Sequence, residues 1–107
     1  MANLGTDDPV IARFRAALDS AFGERIERVV LYGSRARDDA RPDSDYDVAV
    51  FLRDMQDRGA ELWRLAGLSS SIIDETGGVV HAMPYPAGAY HERTPLMREI
   101  RREGIDF

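Results

Sequence analysis

The sequence predicts a small α/β fold in which helices cover a short β-sheet, and two observations support this prediction. Segments with apolar residues at helical spacing alternate with short apolar or β-branched runs, which is the order of a layered α/β domain. The chain has 107 residues, the length of one domain. We therefore expect a single domain over residues 1–107, without a separate substrate-binding domain.

The first predicted element is a helix. Asp7-Asp8-Pro9 is a typical helix start, because an acidic residue caps the free N–H groups and proline fits the first helical position. Apolar residues then recur at helical spacing, namely Val10, Ile11, Phe14, Ala17, Leu18 and Phe22. Gly23 ends the element.

Two strands follow the first helix. Ile26–Tyr32 is rich in β-branched and apolar residues and predicts a short buried strand, which Gly33-Ser34 interrupts. Ser34–Ala40 has room for one helical turn. Asp45–Leu52 predicts a second strand, in which Val48, Val50 and Leu52 alternate with the other residues.

The second half of the chain predicts two more helices and one more strand. The predictions are a long helix over Asp57–Glu75, a strand over Val79–Met83, a loop over Pro84–Tyr90 and a helix from Thr94 to Glu103. The expected apolar side of the long helix consists of Leu62, Leu65, Ala66, Ile72 and Ile73. We also expect Trp63 in the core, because it stands beside Leu62.

The composition excludes several classes of function. Cysteine is absent, which excludes disulfides and thiolate chemistry. All 14 basic residues are arginine, so a Schiff-base lysine and a P-loop lysine are excluded. The net charge of −5 argues against duplex DNA as a partner. Short apolar runs and an N-terminus without a signal-peptide pattern favour a cytoplasmic protein without a membrane partner.

Two aspartates predict a metal site. Asp45 and Asp47 are two residues apart on a predicted strand, so both carboxylates leave the same face. Neighbouring carboxylates repel each other unless a cation or water lies between them. Mg²⁺ takes oxygen ligands and commonly binds one or two carboxylates together with substrate phosphates. The alternative is a strand with two solvent-facing acids.

The residues before these aspartates predict a phosphate site. Gly33 lets a phosphate approach the backbone, and Ser34 adds a hydroxyl at the start of a helical turn. Arg35 and Arg37 bring positive charge to the same place. With Asp45 and Asp47 these residues would form a metal–triphosphate site, which suits in-line displacement at phosphorus.

The same residues carry a family resemblance. Gly33-Ser34, ten intervening residues and then Asp45-x-Asp47 resemble the signature of the polymerase-β-like nucleotidyltransferases, and the fuller text resembles their minimal nucleotidyltransferase (MNT) branch. The resemblance implies a mixed sheet flanked by helices. It also implies Mg²⁺ on Asp45 and Asp47, and nucleotide phosphates on Gly33 and Ser34. The reaction would move a nucleoside monophosphate from an NTP, usually ATP, to a hydroxyl.

The sequence departs from this family at two positions. A third carboxylate is common on a later strand, where this chain has His81. A neutral His81 is a candidate base, but it is a poorer Mg²⁺ ligand than a carboxylate, and the alternative is a packed or solvent-edge histidine. Asp38 stands where related sequences often have glycine, and it adds negative charge near the phosphate turn.

Three functions remain open at this point. The first is a nucleotidyltransferase, with Asp45, Asp47 and Ser34 as catalytic candidates, whose acceptor is another macromolecule. The MNT resemblance points to the antitoxin half of HEPN–MNT pairs, with AMP transferred to a tyrosine of the HEPN toxin. The second is a silent MNT-fold protein that neutralises a partner by binding. The third is an enzyme that modifies a small molecule as a homodimer, since a homo-oligomer is compatible with the sequence.

Overall fold

The computed structural model describes residues 8–107, which form a mixed sheet with helices on both faces. Asp7 and the N-terminal residues before it lie outside this range. The helices are α1 (Pro9–Phe22), α2 (Ser34–Arg37), α3 (Arg58–Thr76) and α4 (Pro95–Glu103). The strands are β1 (Ile26–Tyr32), β2 (Tyr46–Leu52), β3 (Val80–Pro86) and β4 (Ile105–Asp106). Short 3₁₀ helices span Gly23–Arg25 and Ala87–His91.

The three longer helices begin where the sequence predicts. The side chains of Asp8, Asp57 and Thr94 accept hydrogen bonds from backbone N–H groups of the first turns of α1, α3 and α4, at 2.8, 3.1 and 3.1 Å. Such caps satisfy N–H groups that have no partner inside the helix. Gly77 ends α3 in the left-handed conformation.

The sheet has four strands in the order β3-β2-β1-β4. β1 runs antiparallel to β2 and β4, whereas β2 and β3 are parallel, so the sheet is mixed as the family resemblance implies. β2 has a partner on each side and is buried on both faces, including Ala49 and Phe51. The alternation in the sequence therefore separates two cores rather than a core from solvent.

The two faces of the sheet are covered differently. One face packs against α1 and α3 in the larger core, which includes Phe14, Leu31 and Val48. The opposite face, which presents Ala49 and Phe51, packs against α4 and the 3₁₀ helix Ala87–His91. None of the helices among residues 8–107 is long and apolar enough to cross a membrane.

The prediction of a loop over Pro84–Tyr90 was wrong. β3 continues through Pro84 to Pro86, and a 3₁₀ helix follows it. The N–H of Tyr46 donates to the carbonyl of Val79 (2.9 Å), so the odd-numbered residues of β3 bond to β2. Both prolines therefore direct their missing N–H toward the open edge of the sheet, where no ladder bond is lost.

β4 was not predicted, and the predicted place of Trp63 was wrong. β4 is only two residues long, too short to show a periodic pattern. The side of α3 that faces the core presents Glu61, Leu65 and Ile72, which recur at the helical period. Trp63 lies on the opposite side and is 83% exposed, so its expected place in the core was wrong. Ala66 and Ile73, also expected on the apolar side, are exposed.

Candidate functional site

Three polar side chains lie in one row across the sheet. Asp47 and His81 were predicted from the sequence, and Tyr32 was not. Asp47 on β2 is in register with His81 on β3 and with Tyr32 on β1. His81 Nδ1 is 3.7 Å from Asp47 Oδ1. The Asp47 side chain is 33% exposed and that of His81 is 66% exposed, so this end of the face is open to solvent.

Gly33 brings the turn after β1 directly against Asp47. Its φ of +77° is unfavourable for any side chain. A Cβ added at Gly33 would overlap Oδ2 of Asp47 and would lie 3.3 Å from its Cγ. The predicted glycine and the predicted aspartate, 14 positions apart in the sequence, are thus in contact.

A helical turn begins beside this contact. The carbonyl of Gly33 accepts hydrogen bonds from the N–H groups of Ala36 and Arg37, both at 3.1 Å. Within residues 8–107, the N–H groups of Ser34 and Arg35 have no backbone partner, as expected for the start of a helix. Such groups are suited to donate to a phosphate.

Asp47 is the electrostatically unusual member of the site. Partial burial raises the pKa of its carboxyl, and the charge of Asp45 raises it further. His81 and Arg37 act in the opposite direction. Asp45 itself is exposed and stands one residue before β2. The fold therefore holds one half-buried carboxylate beside an exposed one. A cation between them would offset the cost of burying the charge of Asp47 and the repulsion between the two carboxylates.

The side chains of Arg35 and Arg37, both in the turn, have different hydrogen-bond partners. Arg37 donates to Glu103 Oε1 (3.0 Å) and to Asp39 Oδ2 (3.2 Å), and its charge lowers the pKa of Asp47. The guanidinium of Arg35 instead donates to the carbonyl of Ser44, with the shorter distance 2.8 Å. Arg37 is thus on the side of Asp47, whereas Arg35 binds the loop that leads to Asp45.

Tyr46, which lies between the two aspartates in the sequence, anchors that loop from the opposite face of the sheet. Its ring is buried on the α1 side of the sheet, with the Arg35 guanidinium 4.1 Å from the ring centroid. Its hydroxyl donates to Asp8 Oδ2 at 2.7 Å. The start of β2 is therefore fixed both to the cap of α1 and to the turn that carries Gly33.

Tyr32 and Asp38 complete the surroundings. Burial, with smaller effects of Tyr85, Asp47 and Glu99, raises the pKa of Tyr32 to about 12, so its hydroxyl stays protonated at neutral pH. Tyr32 was not predicted as a site residue, although its position in the strand places it on the same side of the sheet as Val30. Asp38 has a left-handed φ of +63°, which explains why glycine suits this position. It lines a pocket with Asp8 and Tyr46 on the α1 side.

The carboxylate oxygens of Asp45 and Asp47 are suited to bind a hard divalent cation together with oxygen atoms of a substrate. The backbone of Gly33 lies in direct contact with the Asp47 carboxylate. No cluster of three metal-ligating residues occurs among residues 8–107. The structure places His81, rather than an acid, beside Asp47. Phosphate oxygens of a nucleotide would have to supply further ligands.

Comparison with known proteins agrees with this geometry. The family model described as a nucleotidyltransferase domain matches residues 11–95. A crystal structure from Sulfolobus solfataricus, provisionally named a nucleotidyltransferase, superposes with a TM-score of 0.65 at 18% identity, over 92% of this chain and 76% of that one.

Toxin–antitoxin complexes are also among the structural neighbours. One, solved with AMP-PNP, has a TM-score of 0.62 at 19% identity, over 87% of this chain and 68% of that one. Another is the toxin–antitoxin MntA–HpeT with two Asp-to-Glu mutations, at a TM-score of 0.61 and 17% identity, over 86% and 68% of the two chains. These identities establish the shared fold. No curated protein sequence matches the chain.

Proposed function

Since the chain belongs to the nucleotidyltransferase domain family, we propose that it transfers AMP from ATP to a hydroxyl of a macromolecular acceptor. The observation that carries the proposal is the contact between Gly33 and Asp47. This contact joins the predicted phosphate turn to the predicted metal ligands. The Asp47 side chain stays partly exposed, with His81 in register beside it. A nucleotide placed there would meet carboxylates and free backbone donors together.

Each site residue has a distinct role in this proposal. Asp45 and Asp47 hold Mg²⁺, which when bound neutralises phosphate charge and polarises the reacting phosphoryl group. Gly33 and Ser34 accommodate the nucleotide phosphates, and Arg37 supplies positive charge on the same side. The sequence assigned Arg35 to the nucleotide as well. Its bonds to the loop before Asp45 favour a role in shaping the site.

His81 is the candidate base for the acceptor hydroxyl. It lies beside Asp47 in the row, is mostly exposed, and can accept a proton when neutral. Tyr32, on the other side of Asp47, is unsuited to this task because its pKa is about 12. Its hydroxyl can donate a hydrogen bond instead.

The acceptor that fits best is a tyrosine of a partner protein, and we place that partner in the HEPN toxin class. Two considerations support this choice. Some structural neighbours are toxin–antitoxin complexes, one of them with the ATP analogue AMP-PNP. The resemblance of Gly33-Ser34 and Asp45-x-Asp47 to the MNT branch also points to the antitoxin half of HEPN–MNT pairs.

A silent binding protein is the second candidate, because His81 occupies the place where a third carboxylate is common. The two candidates differ in what Asp47→Asn does to neutralisation of a partner. Loss of neutralisation supports the enzyme, whereas full neutralisation by Asp47→Asn, with partner binding intact, supports the silent protein.

The acceptor can be identified by labelling in a host lysate. We expect the protein with Mg²⁺ and ATP labelled at the α-phosphate to label one protein band, and mass spectrometry to find AMP on a tyrosine of that protein. The Asp45→Asn/Asp47→Asn double variant is the control and should label nothing. A labelled nucleic acid, or a labelled small molecule, would reject the protein acceptor.

A further inference from the structure

α3 carries a second uncharged face in addition to the one that packs on the sheet. We call this face the α3 seam, and its residues follow the spacing of a helix that packs along another helix. They are Gly59, Leu62, Trp63, Ala66, Ser69, Ser70 and Ile73. The stripe that faces the core of this chain, with Leu65 and Ile72, is a different one. The amphipathic pattern of α3 is thus only partly used inside the domain.

Trp63 dominates the α3 seam. It is 83% exposed, and Ile73 on the same seam is 43% exposed. Charged residues make up 31% of the chain, yet none lies on the seam. A large exposed aromatic on an uncharged surface is typical of an interaction site rather than of a solvated helix face.

An apolar groove of about 360 Å³ is lined by other residues of the α3 seam, including Leu62 next to Trp63 in the sequence. Its lining comes from the α3 seam and from the neighbouring edge strand β3, and consists of Leu62, Ala66, Ser69, Val80, His81, Ala82 and Met83. The protruding ring and a groove able to receive an aromatic side chain therefore belong to one continuous surface. Such a surface can be complementary to itself.

We propose that the α3 seam is the interface of a homodimer, in which Trp63 of each copy enters the groove of the other. An antiparallel arrangement about a two-fold axis at Ala66 sets Trp63 opposite Ser69 of the second copy. The same axis sets Ile73 opposite Gly59. Large residues thus face small ones along the whole seam, as an isologous contact requires.

The size of the surface is that of a weakly associating, reversible dimer. The seam covers 15 residues, or about 21 Å of helix. Together with the edge of β3 it would bury about 1,000 Å² in total, at the lower limit for a specific interface. We therefore expect a reversible dimer with a dissociation constant in the micromolar range. This inference rests on the surface of α3 and β3 and needs no transfer reaction, although its groove shares His81 with the proposed site.

The single tryptophan makes the proposal directly measurable, because tryptophan emission, excited selectively over the four tyrosines, reports on Trp63 alone. With increasing protein concentration we expect the emission maximum to move to shorter wavelength, as the indole leaves water. Sedimentation equilibrium on the same samples should show monomers turning into dimers over the same concentrations.

Substitutions on and off the α3 seam provide the controls. Ala66→Arg and Ser70→Arg place a charge on the seam, and each should give a folded monomer with long-wavelength emission at every concentration. Ser71→Arg adds the same charge at an exposed position of α3 outside the seam, and should dimerise like the wild type. A wild type that stays monomeric, or a Ser70→Arg variant that still dimerises, would overturn the proposal.

Discussion

Gly33 and Asp47 restrict each other at the scale of single residues. The backbone of Gly33 has a φ of +77°, and the space where its Cβ would stand is filled by the Asp47 carboxylate. The pair therefore places a carboxylate next to the start of a helical turn, which is the local arrangement that a metal-bound phosphate needs.

Gly33→Ala tests this contact. The left-handed backbone and the overlap with Asp47 should together reduce the free energy of unfolding by about 2 kcal/mol or more and abolish the Mg-ATP-induced rise in Tm. Gly67→Ala is the matched control, since Gly67 lies within α3 with no atom in the way, and should raise stability by about 0.5–1 kcal/mol. Wild-type Tm and ATP binding in Gly33→Ala would contradict the site.

Asp47→Asn tests the raised pKa of Asp47. Because the pKa is higher in the fold than in the unfolded chain, the stabilising contribution of this group is present at acid pH and is lost as the pH rises through the raised pKa. At pH 7 without metal, Asp47→Asn should therefore have a Tm equal to or above that of the wild type.

Thermal unfolding across pH is the measurement for Asp47→Asn. The difference in Tm from the wild type should shrink as the pH falls below the ordinary pKa of an aspartate, because the carboxyl is then protonated in both the folded and the unfolded chain. Mg²⁺ with ATP should stabilise the wild type and have little effect on the variant. A variant that is less stable than the wild type at pH 7 without metal would contradict the electrostatic argument.

His81→Asp tests the row across the sheet. A carboxylate beside Asp47 should lower the Tm without metal and reduce the Mg²⁺ concentration needed for half-maximal stabilisation about tenfold, since ligand charge increases affinity. His91→Asp, an exposed substitution near Tyr90 and away from Asp47, is the control. An unchanged Mg²⁺ dependence would show that position 81 does not face the metal.

The residue types and their spacing in the sequence predict most of the candidate site, whereas the contacts of some of its residues depend on the fold. Gly33, Ser34, Asp45 and Asp47 were predicted because their types and spacing are chemically specific. Arg35 was predicted to bind the nucleotide, but its guanidinium contacts the Ser44 carbonyl and the Tyr46 ring, since a guanidinium in a short turn can reach either face of the sheet. Trp63 was misplaced because the side of α3 that faces the core carries Leu65 and Ile72, and Trp63 does not stand at their helical spacing.

At the scale of elements, the start of β2 is held by contacts from two other elements. Tyr46 reaches the cap of α1 through its hydroxyl and stacks with Arg35 from the turn after β1. These contacts act from the face opposite Asp47. They position the strand without occupying the site.

Tyr46→Phe tests this anchoring. It removes the hydrogen bond to Asp8 and keeps the ring, so the free energy of unfolding should fall by about 1–2 kcal/mol. If the anchor positions the aspartates, kcat should fall more than KM rises. Tyr85→Phe is the control, because the Tyr85 hydroxyl has no hydrogen-bond partner within residues 8–107. Wild-type stability of Tyr46→Phe would contradict the anchor.

The elements were predictable where local signals are strong. The capping residues and glycines defined α1, α3 and α4 closely, and the apolar run of β1 was correct. β3 was predicted too short because proline normally ends a strand, and only the sheet order shows that these prolines face an open edge. β4 depends on pairing with β1, and the pattern of two residues cannot predict such a long-range contact.

At the scale of the whole molecule, the topology assembles the site from distant parts of the chain. The turn after β1, the start of β2 and the start of β3 meet because β2 lies between β1 and β3 in the sheet. The mixed sheet followed from the family resemblance rather than from periodicity, which gives no strand order. The α3 seam emerged only from the folded structure, since the sequence pattern suggested a single apolar side.

The central claim is nucleotidyl transfer that depends on Asp45 and Asp47, and the destination of the ATP phosphates tests it most directly. Purified protein, Mg²⁺ and the acceptor found in lysate would be incubated with ATP labelled at either the α- or the γ-phosphate. We predict that α-label alone reaches the acceptor, and only with both aspartates intact. Transfer of γ-label, or α-label transfer by the Asp45→Asn/Asp47→Asn variant, would contradict the account.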